Sequence, residues 1–329
     1  MKRKISAEII ADSIDKYGNR ITTFILTYPR FIHAEIMTHR MFSRNSASSR
    51  AIPFEKMLDM VENDPVIPIA WQKDHTGMQG SNYFTDTLDK NSAEKHWLRS
   101  LDYALITAKD LNRTVGVTKQ LCNRLLEPFM WHTVIITATE YENFFDLRCP
   151  KYRMVNDSGV IERYRSKEEY LDDLSTMDFN IVKDYTIEQW MSINDSMAEI
   201  HMQTLAEEMW NAYRKGTPAM TSPGQWHIPF GDKFDPAKLP YWEEIVPNAD
   251  DISKSLIKIS VARCARLSYM TFEGEIDYAK DIELHDMLLR NKHSSPFEHC
   301  AKNYPLNKMY ANFKGWISYR KLLEENEEL

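Results

Sequence analysis

Residues 38–50, with the sequence THRMFSRNSASSR, concentrate hydrogen-bond donors that suit an anion. These thirteen residues include three arginines, one histidine, one asparagine and four serines, and no acidic residue. The complete chain has a formal net charge of -7, so this segment is opposite in character to the whole protein. A guanidinium carries its N–H donors in a rigid fork that matches phosphate oxygens. The segment therefore predicts a site for a small molecule that bears a phosphate group.

Residues 38–50 also permit two alternative roles. The serines could include a nucleophile, but no base adjoins them, and loop serines are more often caps or hydrogen bonders. Alternatively, Arg40, Arg44 and Arg50 could contact a polynucleotide in a catalytically silent nucleotide- or RNA-binding module. The acidic net charge disfavours nucleic acid, because nonspecific binding relies on a broad basic face.

A second group of candidate residues lies between Gln120 and Arg148. This run begins with a helical pattern that contains Arg124, breaks near Pro128 and continues with β-branched residues. It ends with Asn143 and Arg148 among aromatic residues. An arginine beside an apolar run commonly pairs with a carboxylate, but it can also meet an anionic ligand. Arg148 is the more informative of the two.

A third group is the sequence NKHSSPFEHC at residues 291–300, where Pro296 fixes a turn. The commonest structure for such a group is a capped helix junction with hydrogen-bonded core side chains. A metal site is disfavoured, because the histidines lack the HExxH spacing and no third ligand is evident. The polar members of the group are His293, Ser295, Glu298 and His299.

The hydrophobic pattern predicts the elements that position these residues. The β-branched run from Ile21 predicts a strand that ends near Pro29 and leads into a helix, with His39 and Arg40 at its end. Residues 77–83 are expected in an exposed loop, either a lid or a surface connection, of which the second is favoured. Helical spacing predicts helices at residues 95–112 and 197–212, from Lys258 towards Ser268, and around residues 282–289.

Size and composition indicate a globular protein. With 329 residues, 43% of them hydrophobic, we expect one domain over residues 1–329 with insertions near 149–195 and 220–251. No apolar stretch is long enough to cross a bilayer and no export signal is evident, so we expect a cytoplasmic protein without a membrane partner. The cysteines at 122, 149, 264 and 300 lack CxxC spacing and are expected to be buried thiols.

The common nucleotide-binding motifs are missing from the sequence. No GxGxxG, Walker A or GxSxG pattern occurs, and the chain has ten glycines. A glycine-rich phosphate-binding loop is therefore not the simplest way for this chain to bind a phosphate. Any bound nucleotide must be held by side chains.

Three separated segments resemble the flavin-dependent thymidylate synthases. The family's hallmark is an RHR triplet followed by a spaced serine, and here the corresponding segment reads THRMFSRNSASSR. The run NRLLEPF, TATEYENFFDLR and AEIHMQTLAEEM is similar to the family's C-terminal half, where an arginine and a proline, then an asparagine and an arginine, precede an AQxEI helix. The segments ARCARLSY and HSSPFEH are similar to its N-terminal signature.

The order of these segments differs from that of the family. The family begins with the ARxSY and HxxPFEH elements, whereas this chain places them last, which is the pattern of a circular permutation. Permutation is tolerated when the new ends open at a surface loop and the core contacts survive. In the family, the segment that corresponds to HSSPFEHC is followed by a strand that leads into the hallmark. Here the hallmark lies earlier in the chain, so that strand is either present twice or paired differently.

The resemblance implies an α+β fold, the mixed fold of the flavin-dependent thymidylate synthases, with a non-Rossmann flavin site. It implies a homotetramer with shared active sites that converts dUMP to dTMP. FAD would be the cofactor, and methylenetetrahydrofolate and NADPH would be co-substrates. The flavin would carry the redox step while the protein supplies positioning and charge.

The resemblance also implies roles for individual residues. Arg148 would lie against the uracil, favour its ionised form and make a covalent enzyme nucleophile unnecessary. The expected FAD-binding residues are His39, Arg40, Asn45, Asn143, Ser268, His293, Ser295 and Glu298. The expected dUMP-binding residues are Glu35, Ser46, Ser48, Arg50, Arg124 and Arg148.

Several positions depart from the family pattern. Thr38 replaces the first hallmark arginine, Ser46 replaces a glutamate, Glu35 replaces a glutamine and Ala51 replaces a tyrosine. The first two changes remove one cation and one anion, so they compensate in part. Arg320 could replace the missing guanidinium, although a tail arginine is more often exposed. These departures leave open a related flavoenzyme that transfers a different one-carbon group to a pyrimidine nucleotide.

Overall fold

The computed structural model describes residues 2–156, 158–177, 185–231, 234–235, 249–267 and 277–326. The strands are β1 Ser6–Ile14, β2 Arg20–Pro29, β3 Ser43–Ser46, β4 Trp131–Ala138, β5 Tyr152–Val155, β6 Ile161–Tyr164, β7 Ala219–Met220, β8 Trp226–His227, β9 Ala301–Asn303, β10 Met309–Tyr310, β11 Phe313–Lys314 and β12 Trp316–Ser318. The α-helices are α1 His33–Ile36, α2 Phe54–Asn63, α3 Thr87–Lys109, α4 Lys119–Cys122, α5 Glu142–Arg148, α6 Lys167–Met177, α7 Ile187–Ser192, α8 Ile200–Lys215, α9 Ala249–Arg266, α10 Tyr278–Arg290 and α11 Tyr319–Glu325. Short 3-10 segments cover Arg30–Ile32, Asn123–Phe129 and Ser295–Glu298, and a π-helical turn covers Asp110–Val115.

The main sheet has five strands in the order β3-β4-β2-β1-β7. Strand β2 lies in its centre, since Phe24 pairs with Ile9 of β1 on one side and with Ile136 of β4 on the other. All pairs are antiparallel except that between β1 and β7. Together with the helices and the smaller sheets, this arrangement confirms the predicted α+β class.

One apolar cluster joins the main sheet to helices α5 and α8. The spacing of Met202, Leu205 and Met209 places all three fully inside this cluster, which confirms the helix predicted at residues 197–212. Burial of several large side chains, at roughly 1.5–3 kcal/mol each, holds both helices against the sheet. From the sheet and α5, the cluster includes Phe24, Leu26, Val134, Ile136, Phe144 and Phe145.

Two further clusters carry the remaining candidate segments. Helices α2 and α3 pack with the segment Asn123–Phe129, so Arg124 sits on a well-supported turn. Helices α9, α10 and α11 pack around Phe297 of the segment Ser295–Glu298. That segment also contacts β3. The two halves of the predicted site are therefore brought to the same edge of the main sheet.

The strand that follows residues 291–300 pairs differently from the strand that enters the hallmark segment. Strand β9 joins β8 and β12 in a separate three-stranded sheet. Strand β2, in the main sheet, is the one that leads into residues 38–50. The two strands therefore have different partners, which was one of the two arrangements expected from the sequence.

The structure departs from the sequence-based elements in several places. Within residues 52–92, helix α2 was not predicted, because Pro53 and the surrounding polar residues obscured the helical spacing of its buried face. Helix α9 begins at Ala249, well before Lys258, and the predicted end near Ser268 lies outside the described residues. Residues 149–195 contain β5, β6, α6 and α7 around a small aromatic cluster.

Two aromatic residues of the segment 220–251 pack onto the body of the chain. Trp226 packs edge-on against Tyr319, and Phe230 is buried beside Ile10 and Ile135. The four cysteines are buried free thiols, as predicted. Across the described ranges, no helix is long and apolar enough to cross a membrane, and no group of three or more metal-ligating side chains forms.

Candidate functional site

The hallmark segment is held in place by a chain of short turns. Strand β2 passes through the 3-10 segment Arg30–Ile32 into α1, which is much shorter than the predicted helix. The His39 amide then donates to the Ile36 carbonyl at 3.2 Å, and the Phe42 amide donates to the His39 carbonyl at 3.2 Å. From there the chain enters β3, whose antiparallel pairing with β4 fixes Asn45 and Ser46. Residues 38–42 thus form a compact connection on the sheet edge.

Arg148 and His39 meet directly. Helix α5 ends at Arg148, whose Nε donates to Nε2 of His39 at 3.2 Å. The His39 ring is 9% exposed and lies edge-on to Phe144, with ring centroids 4.9 Å apart. Burial, aided by Arg148 and Arg44, lowers the pKa of His39 to about 4. The imidazole is therefore neutral near pH 7, and because Nε2 accepts, its proton lies on Nδ1.

Glu35 also belongs to this cluster. Burial, followed by the nearby Glu199 carboxylate, raises the pKa of Glu35, while Arg148 and His201 oppose that rise. Glu199 caps helix α8 by accepting from the amides of His201 and Met202 at 2.8 and 3.0 Å. Glu35 and Arg148 were predicted as site residues from the sequence, whereas Glu199 and His201 were not. Their spacing at the start of a predicted helix was the available signal.

The arginines near the hallmark differ from most arginines of the chain in lacking carboxylate partners. Arg44 donates to the carbonyls of Met37 and His39 at 2.9 and 3.4 Å. By contrast, Arg20 pairs with Asp12 at 2.5 Å. Guanidiniums without ion-pair partners contribute a local positive potential that attracts anions. Among the described residues, no ion pair within 4 Å joins a carboxylate to Arg40, Arg44, Arg50, Arg124 or Arg148.

The loop after β3 is tied to the segment that carries Arg124. The Asn123 amide donates to the carbonyls of Ser49 and Ile52 at 2.8 and 3.0 Å, and the Ser49 hydroxyl donates to Glu127. These buried bonds hold the loop that contains Ser48 and Arg50 against the turn at Arg124. Both guanidinium-bearing residues are exposed, so the expected phosphate-binding residues share a solvent-facing region.

Residues 293–298 reach the hallmark through Asn45. Its side-chain amide donates to the Cys264 carbonyl at 2.7 Å, and its Oδ1 accepts from Ser295 Oγ at 3.4 Å. His293 is exposed, three residues after the end of helix α10 and two residues before Ser295. This end of the expected flavin site is therefore connected to β3 and α9 within one chain.

Other expected flavin residues have different surroundings. Glu298 accepts from Arg320 at 2.6 Å, so the carboxylate already has a cationic partner. Asn143 is exposed on α5, away from the buried face that Phe144 turns towards His39. Ser268 lies outside the described residues. Among the described residues, no hydrogen bond joins Asn143 to residues 38–50 of its own chain.

His299 has the buried, hydrogen-bonded environment that the sequence favoured. Its Nδ1 lies 2.9 Å from Thr137 Oγ1, which lies 2.7 Å from Thr23 Oγ1. His227 completes this network, with Nε2 2.8 Å from Thr23 Oγ1 and Nδ1 3.0 Å from Ser13 Oγ. Burial lowers the pKa of both histidines to about 3. Both rings are neutral and support the sheet beneath the site.

Comparison with known proteins gives a structural likeness only. No protein-family model matches the chain, and no curated protein matches it. Similar solved structures include the UMP/dUMP methylase PolB from Streptomyces cacaoi, in crystals bound with 5-Br UMP and with 5-Br dUMP. Each is 15% identical with a TM-score of 0.43, and the match covers 67% of this chain and 91% and 92% of those chains. A likeness of this size does not define the family of the chain.

Proposed function

We propose that this protein is a flavin-dependent thymidylate synthase with permuted segment order, which reductively methylates dUMP to dTMP. The observation that carries the proposal is the contact between Arg148 and His39, because it joins two of the three segments that resemble the family. The bond between Ser295 and Asn45 supports it by linking the third segment to the hallmark.

The charge distribution supports a nucleotide monophosphate as substrate. Arg50 and Arg124 would hold the phosphate, together with Ser48, which lies on the same anchored loop as Arg50. Arg148, supported by neutral His39, would lie against the uracil and stabilise negative charge as it develops on the ring. Among the described residues, Arg148 forms no ion pair within 4 Å, so its guanidinium N–H groups are not all engaged by a carboxylate.

The cysteines argue against a covalent enzyme nucleophile near Arg148. Cys149 adjoins Arg148 in sequence, but it is buried and its pKa is raised, chiefly by desolvation. Burial likewise raises the pKa of Cys300 to about 12. A thiol held protonated and away from solvent is a poor nucleophile. Activation of the uracil by Arg148 therefore accounts for the chemistry better than attack by a thiolate.

The residues near the hallmark fit a flavin without a glycine cradle. Arg40 in the hallmark segment and His293 and Ser295 in the segment that reaches it are exposed polar residues that would bind FAD. Bound FAD would supply the reducing equivalents for methylation, with NADPH and methylenetetrahydrofolate as co-substrates. His39 would orient Arg148 and keep its own proton on Nδ1. A cytoplasmic homotetramer with shared sites is part of this proposal, because exposed Asn143 would then serve a neighbouring copy.

Glu35 supports a second candidate, a related flavoenzyme that transfers a different one-carbon group to a pyrimidine nucleotide. Where the family has a glutamine, this chain has a carboxyl whose pKa is raised by burial and by Glu199. When protonated, such a carboxyl can donate a hydrogen bond as an amide does. Mass spectrometry of the nucleotide product separates this reaction from the thymidylate synthase reaction.

The first test is the absorbance spectrum of the purified protein after incubation with FAD and removal of free cofactor. We expect a yellow protein whose flavin bands change on addition of dUMP, because the two ligands share one site. A colourless protein that cannot be loaded with FAD would overturn the proposed function. Addition of deoxycytidine monophosphate is the matched control and should leave the bands unchanged.

A further inference from the structure

Glu127 lies on the same short turn as Arg124, one of the two arginines proposed to hold the phosphate. Residues 123–129 form a 3-10 segment, in which side chains three positions apart eclipse one another. With a rise of about 2 Å per residue, Arg124 and Glu127 are roughly 6 Å apart along the segment and project from the same side. An arginine and a glutamate with this spacing commonly form an exposed ion pair.

That ion pair is not formed. Arg124 is exposed, and in the part of the chain that the structure describes its guanidinium has neither a hydrogen bond nor an ion pair. Both oxygens of the Glu127 carboxylate have other partners. The Ser49 hydroxyl donates to Oε1, and Arg30 Nε lies 3.7 Å from Oε2. The carboxylate closest in sequence to Arg124 is therefore engaged elsewhere.

Ser49 is held in position by a second connection to the same turn. The residue is buried, and its carbonyl accepts from the side-chain amide of Asn123 at 2.8 Å. Asn123 is fully buried and also donates to the Ile52 carbonyl at 3.0 Å. Loss of the Ser49 hydroxyl would therefore release Glu127 and leave the loop attached to the turn through Asn123.

Arg30 is fixed on its other side by an uncharged imidazole. Its Nη1 donates to His132 Nε2 at 3.2 Å, and its backbone amide donates to the Met130 carbonyl at 3.0 Å. Burial, followed by the nearby His33 and Arg30, lowers the pKa of His132, so the ring is neutral and can accept. Arg30 therefore keeps a defined position beside Glu127.

We propose that the Glu127 carboxylate is kept away from Arg124 by two partners, so that the Arg124 guanidinium remains available to the phosphate of a nucleotide. The two partners are Ser49 and Arg30, which act as positioning residues and do not need to touch the substrate. A released carboxylate would compete with the phosphate, because both anions use the same guanidinium donors. The proposal rests on the phosphate site of the proposed function.

The test is equilibrium titration of the full chain with dUMP and with deoxyuridine, which lacks the phosphate. Ser49→Ala frees one carboxylate oxygen without changing the net charge. It should weaken dUMP binding about three- to fivefold, which is the size of the contribution of an exposed ion pair. Ser49→Ala/Glu127→Gln should regain the wild-type affinity, since an amide carries no charge with which to compete. Affinity for deoxyuridine should be the same in all these proteins.

Coupling to Arg124 separates this role from a defect of the loop. In an Arg124→Ala background, Ser49→Ala should cause no further loss of dUMP affinity. The same should hold for Arg30→Gln, which frees the second carboxylate oxygen and serves as the second variant if Ser49→Ala does not fold. A loss that persists without Arg124, or that Glu127→Gln does not reverse, would overturn the proposal.

The matched controls are Ser100→Ala and Glu55→Gln, at exposed positions of helices α3 and α2, which should bind dUMP as the wild type does. Equal dUMP affinity of Ser49→Ala and the wild type would overturn this proposal alone. Wild-type protein with no preference for dUMP over deoxyuridine would overturn the phosphate site and, with it, this proposal. Preferential binding of dUMP without conversion would refute the proposed function alone, and the affinities of the variants would still decide the role of Glu127.

Discussion

Arg148 Nε lies 3.2 Å from His39 Nε2, although the two residues are 109 positions apart in the chain. The lowered pKa of His39 keeps the ring neutral, so this contact is a hydrogen bond rather than a repulsion between cations. The partnership holds Arg148 in place and leaves its charge available to a ligand. The function proposed for the chain depends on this pair.

Replacement of Arg148 by alanine should lower turnover by at least about a hundredfold and leave FAD bound. The proposed role is with the pyrimidine, and loss of a group that stabilises developing charge typically costs a factor of about 100 to 1,000 in kcat. Flavin content from absorbance and initial rates of dTMP formation measure the two effects. Arg113→Ala is the control, since Arg113 is an exposed arginine paired with Glu55. Full activity of Arg148→Ala would refute the assignment.

Replacement of Arg50 or Arg124 by alanine should weaken dUMP binding by about tenfold or more, because each removes a charge-assisted bond to phosphate. Affinity for deoxyuridine, which lacks the phosphate, should change little. Titration calorimetry at two salt concentrations checks the assignment, since the salt dependence of dUMP binding should also decrease. An equal loss of affinity for deoxyuridine would indicate a structural defect instead.

The buried histidine network should make stability depend on pH. In the unfolded chain His227 and His299 titrate near their ordinary pKa of 6.5, whereas in the folded chain the value is about 3. The unfolded state therefore binds more protons below about pH 6.5, so the free energy of unfolding is fully maintained above that pH and falls as the pH falls towards 3.

Urea unfolding at about pH 7.5 and about pH 5.5 measures this effect, which should amount to roughly 1.4 kcal/mol per histidine. His299→Gln should reduce the difference between the two conditions by about that amount, whatever its effect on absolute stability. His96→Gln, at an exposed position of helix α3, should retain the wild-type difference. An unchanged difference in His299→Gln would contradict the buried neutral assignment.

Subunit mixing tests whether sites are shared between copies. Asn143 and Arg148 lie on the same helix, but Asn143 is exposed while Arg148 contacts the hallmark of its own chain. If Asn143 serves a neighbouring copy, mixed oligomers of Asn143→Ala and Arg148→Ala will contain some sites with both residues intact. We expect the mixture, prepared by co-expression, to be more active than either parent. Activity no higher than that of the parents, or a monomer in light scattering, would contradict shared sites.

Much of the fold could be predicted because local patterns determined it. The spacing of Met197, Ile200, Leu205, Met209 and Ala212 predicted α8, and the β-branched run from Ile21 predicted β2. Helix α2 was missed because its polar surroundings resemble a loop. The pairing of β9 outside the main sheet depends on contacts distant in sequence, which periodicity does not encode.

The residues of the candidate site were predictable only where they belong to a sequence motif. Arg148 and His39 were chosen from separate segments, and their contact emerged from the packing of α5 on the main sheet. Glu199 and His201 were missed because their importance comes from proximity to Glu35. The ion pair between Glu298 and Arg320 was likewise not predicted, because Arg320 lies on helix α11 and reaches Glu298 only through the packing of that helix.

The most direct test of the proposed function is mass spectrometry of the nucleotide after dUMP is incubated with FAD-loaded protein, methylenetetrahydrofolate and NADPH. We predict conversion of dUMP to a product heavier by one methylene group that co-elutes with dTMP, and conversion slower by at least about a hundredfold with Arg148→Ala. Recovery of dUMP unchanged from flavin-loaded wild-type protein would contradict the proposed function.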